Sequence, residues 1–153
     1  RFADLLAAMG CDVERTATAV TVTGPATLSG IDVDMADVSD LVPTIAVVAT
    51  KATSPTRIRG VGFIRAKESD RLGDLARELQ AAGADVEETA DGLAVRPSTG
   101  RLHGAALATH HDHRLAMAFA VLGSVVDGIE VRDPDVVSKS WPGFWQMLDE
   151  SFR

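Results

Sequence analysis

The chain repeats itself at intervals of 72 to 73 residues, and this repeat restricts its fold more than any other feature. Residues 10–14 read GCDVE and residues 83–87 read GADVE, an offset of 73 positions. Two further pairs are 72 positions apart: Asp40 with Asp112, and Lys67 with Lys139. A period of this length indicates a repeated supersecondary unit rather than a solenoid of small repeats.

Local patterns predict the order of elements within one unit. Residues 31–35 alternate between apolar and polar side chains, which is typical of a half-buried strand. An all-apolar helix with Pro43 in its first turn follows, and its composition predicts that it is enclosed on every side. The remaining elements are a strand at 56–61, an amphipathic helix at 71–82, and strands at 84–88 and 93–95. The predicted unit is therefore β-α-β-α-β-β.

The sequence on either side of this unit repeats parts of it. Residues 1–9 read as the last turns of a helix, followed by strands at 11–14 and 19–23. After the unit we expect a strand at 106–109, an apolar helix at 115–125, a strand at 129–131 and a loop at 134–139. Ser140 is expected to cap a last helix that carries Trp141, Phe144, Trp145, Leu148 and Phe152 on one face.

These patterns predict an α/β domain in which sheets surround buried helices. Residues 1–25 would end one repeat, residues 26–99 would form a complete repeat, and residues 100–153 would form part of a third. The N-terminus therefore reads as the cut end of a longer protein.

The composition of the chain argues against several classes of protein. A net charge of −7, no tyrosine and 5% aromatic residues argue against a nucleic-acid partner. The longest nearly apolar run, residues 115–126, is too short to cross a bilayer, and no signal peptide precedes the first residue. The single cysteine, Cys11, has no partner for a disulfide, and we expect it to be buried in a cytoplasmic protein.

A charged run at the joint between a strand and a helix marks the first candidate site. Residues 67–71 read KESDR, with Ser69 or Asp70 as the expected cap of the following helix. Lys67 and Arg71 are unexpected there, because a helix N-terminus carries positive partial charge and repels cations. Such a departure from the local rule is typical of a functional site.

The other unusual residues fall at equivalent places in the repeat, each near the expected start of a helix. If these helices are roughly parallel, Asp40, residues 67–71, residues 112–114 and Lys139 meet at one end of the domain. Helix N-termini favour an anion, and two arginines can hold a carboxylate or phosphate bidentately. The proton-transfer candidates are Asp40, Glu68 and His113. The pattern predicts a site for a small polyanion.

Plainer interpretations compete with this one. Lys67 and Asp70, or Arg71 and Asp74, can pair locally, and Asp112 can be simply a helix cap. The string HHDH suggests a metal site, but no cysteine or glutamate completes a ligand set, so we expect no metal. We expect no role for the remaining histidines, His103, His110 and His111.

The same strings carry a family resemblance. RAKESDRL, AAGADVEE, DGL and HDHRLAMAFA, followed by Lys139 in VVSKSWPGF, resemble 5-enolpyruvylshikimate-3-phosphate synthases, as does Asp40 in DLVPTIAVVAT. The resemblance implies two inside-out α/β domains, each built of three β-α-β-α-β-β units, with this chain as the C-terminal portion. It also implies transfer of the enolpyruvyl group of phosphoenolpyruvate to the 5-hydroxyl of shikimate 3-phosphate, releasing phosphate without a metal or other cofactor.

The resemblance further implies roles for individual residues. Arg71 and Arg114 would bind the phosphoenolpyruvate carboxylate, and Lys139 its phosphate. Asp40 would accept the proton of the attacking hydroxyl, and Glu68 would exchange protons with the substrate methylene group, with His113 nearby. Lys67 would contact the phosphate of shikimate 3-phosphate or the tetrahedral intermediate.

Two departures from the family pattern accompany these roles. Phe63 stands where many members carry a polar residue near the shikimate ring, and the other domain's substrate-binding residues are absent. We therefore expect this fragment to be inactive alone. Two alternatives remain: a UDP-N-acetylglucosamine enolpyruvyl transferase, which is similar in repeat and reaction but lacks the KESDR and DHR pairing, and a non-catalytic anion-binding domain of the same fold.

Overall fold

The computed structural model describes residues 1–152 and confirms the predicted order of elements. An α-β-β segment comes first: α1 (Phe2–Ala8), β1 (Asp12–Arg15) and β2 (Val20–Thr23). The complete unit follows: β3 (Asp32–Asp34), α2 (Val42–Ala49), β4 (Thr56–Arg59), α3 (Arg71–Ala81), β5 (Asp85–Thr89) and β6 (Gly92–Arg96). The last segment contains β7 (Ala106–Leu107), α4 (His113–Gly123), β8 (Glu130–Val131) and α5 (Phe144–Ser151). Short 3₁₀ helices span Ala36–Leu41, Gly62–Ala66 and Pro134–Lys139.

The strand pairings repeat along with the elements. The complete unit forms a four-stranded sheet in the order β3-β4-β6-β5, in which β3 and β4 are parallel and the other pairs antiparallel. In the last segment β7 and β8 pair in parallel, as β3 and β4 do. In the first segment β1 and β2 pair antiparallel, as β5 and β6 do. Parallel neighbours joined by a helix bring the starts of successive helices to the same end of the molecule.

The two apolar helices form the centre of the core, as their composition predicts. Helices α2 and α4 pack against each other, and Ile45 and Ala46 of α2 and Leu115 and Phe119 of α4 are fully buried. Pro43 occupies the first turn of α2, where its missing N–H costs no hydrogen bond. No helix among the described residues is long and apolar enough to cross a bilayer.

Helix α3 departs from the simple amphipathic helix that its sequence predicts, because its polar stripe is also buried. Arg71, Asp74 and Glu78 lie three and four positions apart, and each is exposed by 8% or less. The segment that follows β7 covers this stripe and forms hydrogen bonds with it. A polar helix face is therefore enclosed by polar partners rather than by water.

The C-terminal prediction is wrong in two details. Pro134–Lys139 is a 3₁₀ helix rather than a loop, and α5 begins at Phe144, with Gly143 rather than Ser140 at its N-cap. Pro142 explains the late start, because proline disfavours helical geometry in the residue before it. Phe144 is buried, but Phe152 is 65% exposed.

Candidate functional site

The candidate site is organised around Arg71, the first residue of α3. Asp70 is the N-cap, as predicted, and its carboxylate accepts the N–H of Gly73. The Arg71 side chain is fully buried, and three carboxylates from different parts of the chain surround its guanidinium group. Nε donates to Oδ2 of Asp112 over 2.7 Å, and Nη2 donates to Oε2 of Glu68 over 2.5 Å. The third partner, Asp40, accepts from Nη1 over 3.2 Å.

Asp112 has a larger part in this site than the sequence analysis assigned to it. It caps α4 by accepting the N–H of Arg114 at Oδ1, over 2.8 Å, while Oδ2 faces Arg71. Its side chain is fully buried, so the carboxylate requires both partners to offset its loss of hydration. The sequence feature that could have indicated this role is an acidic residue, Asp112, directly before the enclosed apolar helix α4.

Asp40 connects two arginines. It lies in the 3₁₀ helix Ala36–Leu41 just before α2, and its two oxygens bind different guanidinium groups. Oδ1 accepts from Arg71 over 3.2 Å, and Oδ2 lies 2.8 Å from Nη2 of Arg114. The side chain of Asp40 is 48% exposed and that of Arg114 is 33% exposed, so this half of the network meets solvent.

A cleft of about 270 Å³ opens beside Asp40 and Arg114. Its walls come from α2, α4 and the start of α5, and include Thr44, Met117 and Phe144. A larger, mostly apolar groove of about 550 Å³ lies between α4 and α5 and contains none of the predicted site residues. The charges, rather than the size of the opening, identify the smaller cleft as the functional candidate.

His113 is the first residue of α4 and is 8% exposed. Its Nδ1 atom is buried and has no hydrogen-bond partner among residues 1–152. Burial lowers the pKa of His113 below its ordinary value of 6.5, and the Arg114 and Lys139 cations add to this effect. Asp112 and Glu68 oppose it. The imidazole is therefore neutral near pH 7 and can either accept or donate a proton.

The two lysines lie at the edge of the network. Nζ of Lys139 donates to the backbone carbonyl of His111 over 3.3 Å. Lys139 ends the 3₁₀ helix Pro134–Lys139, so it does not stand at the N-terminus of a long helix as predicted. Lys67 is exposed, and its Nζ lies 5.9 Å from the centre of the Phe63 ring.

The structure therefore brings most of the predicted site residues together. Direct ion pairs join Asp40, Glu68, Arg71 and Arg114, while His113 and Lys139 lie beside them. When Lys67 at the edge is included, the four cations Lys67, Arg71, Arg114 and Lys139 outnumber the three carboxylates Asp40, Glu68 and Asp112, which gives a net charge of +1. A small anion can be attracted to it, but must compete with the carboxylates already bound.

The local pairings considered as alternatives are wrong. Asp70 pairs with Arg65 rather than Lys67, at 3.2 Å, and Asp74 pairs with Arg77 rather than Arg71, at 2.8 Å. His110, for which no role was expected, lies 2.8 Å from Glu78. Within residues 1–152, no group of three or more His, Cys, Asp or Glu side chains is arranged to hold a metal ion.

Comparison with known proteins points to one family. The model of the family described as EPSP synthase (3-phosphoshikimate 1-carboxyvinyltransferase) matches residues 1–148. A 3-phosphoshikimate 1-carboxyvinyltransferase of Methanoculleus marisnigri is 51% identical over 148 residues, which cover 97% of this chain and 35% of the relative. The corresponding protein of Nostoc punctiforme is 45% identical over 96% of this chain and 35% of its own length. The chain thus spans about a third of the length of these relatives.

Two solved structures share the fold. An EPSP synthase from Acinetobacter baumannii superposes with a TM-score of 0.85 and 29% identity, covering 96% of this chain and 37% of that one. The enolpyruvyl transferase NikO from Streptomyces tendae superposes with a TM-score of 0.77 and 25% identity, covering 96% and 34%. Both confirm the predicted inside-out α/β architecture of repeated β-α-β-α-β-β units.

Proposed function

The chain belongs to the EPSP synthase family, and we propose that it forms one wall of the active site of a 3-phosphoshikimate 1-carboxyvinyltransferase. In this reaction the 5-hydroxyl of shikimate 3-phosphate adds to C2 of phosphoenolpyruvate, and elimination of phosphate then leaves the enolpyruvyl ether. The other wall comes from a second domain, because the relatives are about three times as long. We also propose repeat boundaries after residues 25 and 99, and a cytoplasmic location.

The observation that carries this proposal is the position of Asp40 between two arginines. A carboxylate that bridges Arg71 and Arg114 supports the proposal that this pair of guanidinium groups binds a carboxylate. We propose that the carboxylate of phosphoenolpyruvate takes this place during the reaction. Binding of the substrate then releases Asp40, which becomes free to accept the proton of the attacking hydroxyl.

The remaining cations suit the phosphate groups. Lys139, which like Arg114 lies near His113, would bind the phosphate of phosphoenolpyruvate, and its positive charge would stabilise the phosphate as it leaves. Lys67 is exposed, so its long side chain can reach toward the phosphate of shikimate 3-phosphate or the tetrahedral intermediate. Phe63, 52% exposed beside it, would present an apolar surface to the acceptor.

Glu68 is the proposed proton donor and acceptor for the methylene carbon. The addition step requires Glu68 in its protonated form, which gives its proton to C3; during elimination the resulting carboxylate takes a proton back from C3 as the C2–O bond to phosphate breaks. Glu68 binds Arg71, so it lies beside the cations that would hold phosphoenolpyruvate. His113 is neutral and close to Glu68, so it is placed to pass this proton on.

Two experiments test this function. The first follows amide NMR shifts of the chain during titration with phosphoenolpyruvate. Shifts should concentrate around Arg71, Arg114 and Lys139 and weaken with added salt, whereas shifts scattered over the surface would contradict the proposed site. The second experiment measures phosphate release from phosphoenolpyruvate in the full-length context. By this we mean a protein in which the chain is joined to the remaining two thirds of the length of its relatives.

The phosphate assay makes two comparisons. One compares the two acceptor substrates, and the other compares the isolated chain with the full-length context. Release with shikimate 3-phosphate but not with UDP-N-acetylglucosamine supports the proposed acceptor, and the opposite result would favour the alternative transferase. The isolated chain should not turn over, because transfer needs a closed cleft that excludes water. If the full-length context also fails with both acceptors, the domain is a non-catalytic anion binder.

A further inference from the structure

A second polar cluster lies further along α3, on the same face as Arg71. Asp74 and Glu78 are each only 8% exposed, and both turn toward His110. Oε1 of Glu78 lies 2.8 Å from Nε2 of His110, while Oε2 accepts the N–H of Ala108 over 2.9 Å. Oδ1 of Asp74 lies 3.5 Å from Nδ1 of the same ring. The imidazole of His110 is therefore hydrogen-bonded to Glu78 on one side and lies near Asp74 on the other.

The backbone at His110 is in an unusual conformation. His110 and His111 have φ angles of 50° and 59°, and the N–H of Asp112 donates to the carbonyl of Thr109 over 2.8 Å. A tight turn with two consecutive left-handed residues normally carries glycine, asparagine or aspartate there. Two histidines persist in it only when the surroundings enforce the conformation. The contacts of His110 with Glu78 and Asp74 provide that constraint.

The turn determines where two parts of the proposed active site lie. Asp112 follows it directly and places its carboxylate on Nε of Arg71. The carbonyl of His111, within the turn, accepts from Nζ of Lys139. Arg71, Asp74 and Glu78 thus bind one five-residue segment from a single face of α3. A shift of the turn would displace the partners of both Arg71 and Lys139.

We propose that His110 is a positioning residue, which through Glu78 and Asp74 locks the turn that aims Asp112 at Arg71 and the His111 carbonyl at Lys139. This inference rests on the proposed function, since Arg71 and Lys139 are its phosphoenolpyruvate ligands. The side chain of His110 forms a hydrogen bond with Glu78 and none with Arg71 or Lys139, so it acts through Asp112 and the backbone of His111.

Two substitutions of His110 separate side-chain contact from backbone preference. His110→Asn suits the left-handed turn better than histidine, but its amide ends well short of the position of Nε2 and loses Glu78. His110→Gln suits the turn less well, but its amide can reach the position of Nε2. A positioning role therefore predicts that Gln retains function better than Asn, whereas turn preference alone predicts the opposite order.

The expected result is a fall in kcat/KM for phosphoenolpyruvate of roughly 10- to 100-fold in His110→Asn, mainly through KM, measured in the full-length context. His110→Gln should recover most of this loss. The matched control is Asp133→Asn, since Asp133 is exposed and also left-handed, with φ of 50°. The control should leave kcat/KM unchanged. Equal activity of Asn and Gln variants, or Asn above Gln, would overturn the proposal.

An NMR measurement tests the positioning role of His110 without depending on enzymatic turnover. The Nε–H resonance of Arg71 reports its hydrogen bond to Asp112 and should move in His110→Asn but return toward the wild-type position in His110→Gln. An unchanged resonance in His110→Asn would overturn the positioning role. If wild-type protein shows no enolpyruvyl transfer, the proposed function fails, and this resonance still decides whether His110 positions Asp112.

Discussion

The Oδ2 atom of Asp40 lies 2.8 Å from Nη2 of Arg114, while its Oδ1 atom binds Arg71. One carboxylate of the protein thus occupies the pair of arginines that we propose for the carboxylate of phosphoenolpyruvate. Substrate and side chain then compete for the same donors. This competition links the arrival of the first substrate to the release of the group that would activate the second.

Asp40→Asn should therefore separate binding from catalysis. The amide cannot pair with two guanidinium groups as a carboxylate does, so the isolated chain should bind phosphoenolpyruvate more tightly in an NMR titration. In the full-length context kcat should fall by roughly 10²–10⁴, because the base is lost. The matched control is Asp32→Asn, which removes an exposed partner of Arg59. Weaker binding by Asp40→Asn would show that the carboxylates do not compete.

Glu68→Gln should lower kcat by roughly 10²–10⁴ and change KM little, because shape and hydrogen bonding to Arg71 are kept while proton exchange is lost. Exchange of solvent deuterium into the methylene group should slow in parallel. Glu88→Gln removes another carboxylate paired with an arginine, Arg65, and serves as the control. A raised KM with intact kcat would make Glu68 a structural partner of the cations instead.

Replacement of Arg71 should lower the free energy of unfolding more than replacement of Arg114 does. Arg71→Met leaves the fully buried Asp112 without its ion-pair partner, so unfolding free energy should fall by about 3–5 kcal/mol. Arg114→Met breaks a partly exposed pair with Asp40 and should cost about 1 kcal/mol or less, while still weakening phosphoenolpyruvate binding. Urea denaturation of the chain measures both. Equal stability losses would mean that the Arg71–Asp112 pair contributes no more than a surface ion pair.

The lowered pKa of His113 predicts a dependence of stability on pH. Between its pKa in the folded chain and the ordinary value of 6.5, the unfolded chain binds the proton more readily than the folded one. Stability should therefore fall as pH drops from above 6.5 through that window. Unfolding midpoints of wild type and His113→Gln, measured from pH 8 to 5, isolate this effect by difference. A difference that is flat across this range, or that reverses sign, would contradict the buried neutral imidazole.

Much of the fold could be predicted because it depends on local patterns. Alternation in residues 31–35, the enclosed apolar composition of α2 and α4, and Asp70 before Arg71 each specify an element or its start. The long repeat then specifies their order. The start of α5 was misjudged because Pro142 excludes Trp141 from the helix more strongly than Ser140 favours capping it.

The sequence by itself determined that Asp40, residues 67–71 and residues 112–114 stand near the starts of helices, and so that their charges meet at one end of the domain. Only the tertiary structure decided how these charges pair. Arg71 binds Asp112, 41 positions away, rather than Asp74 three positions away. Ion pairing depends on distance through space and on burial, and neither follows from spacing along the chain. For the same reason the burial of Asp112, the Asp40 bridge and the constraint on His110 became visible only once the segments had packed together.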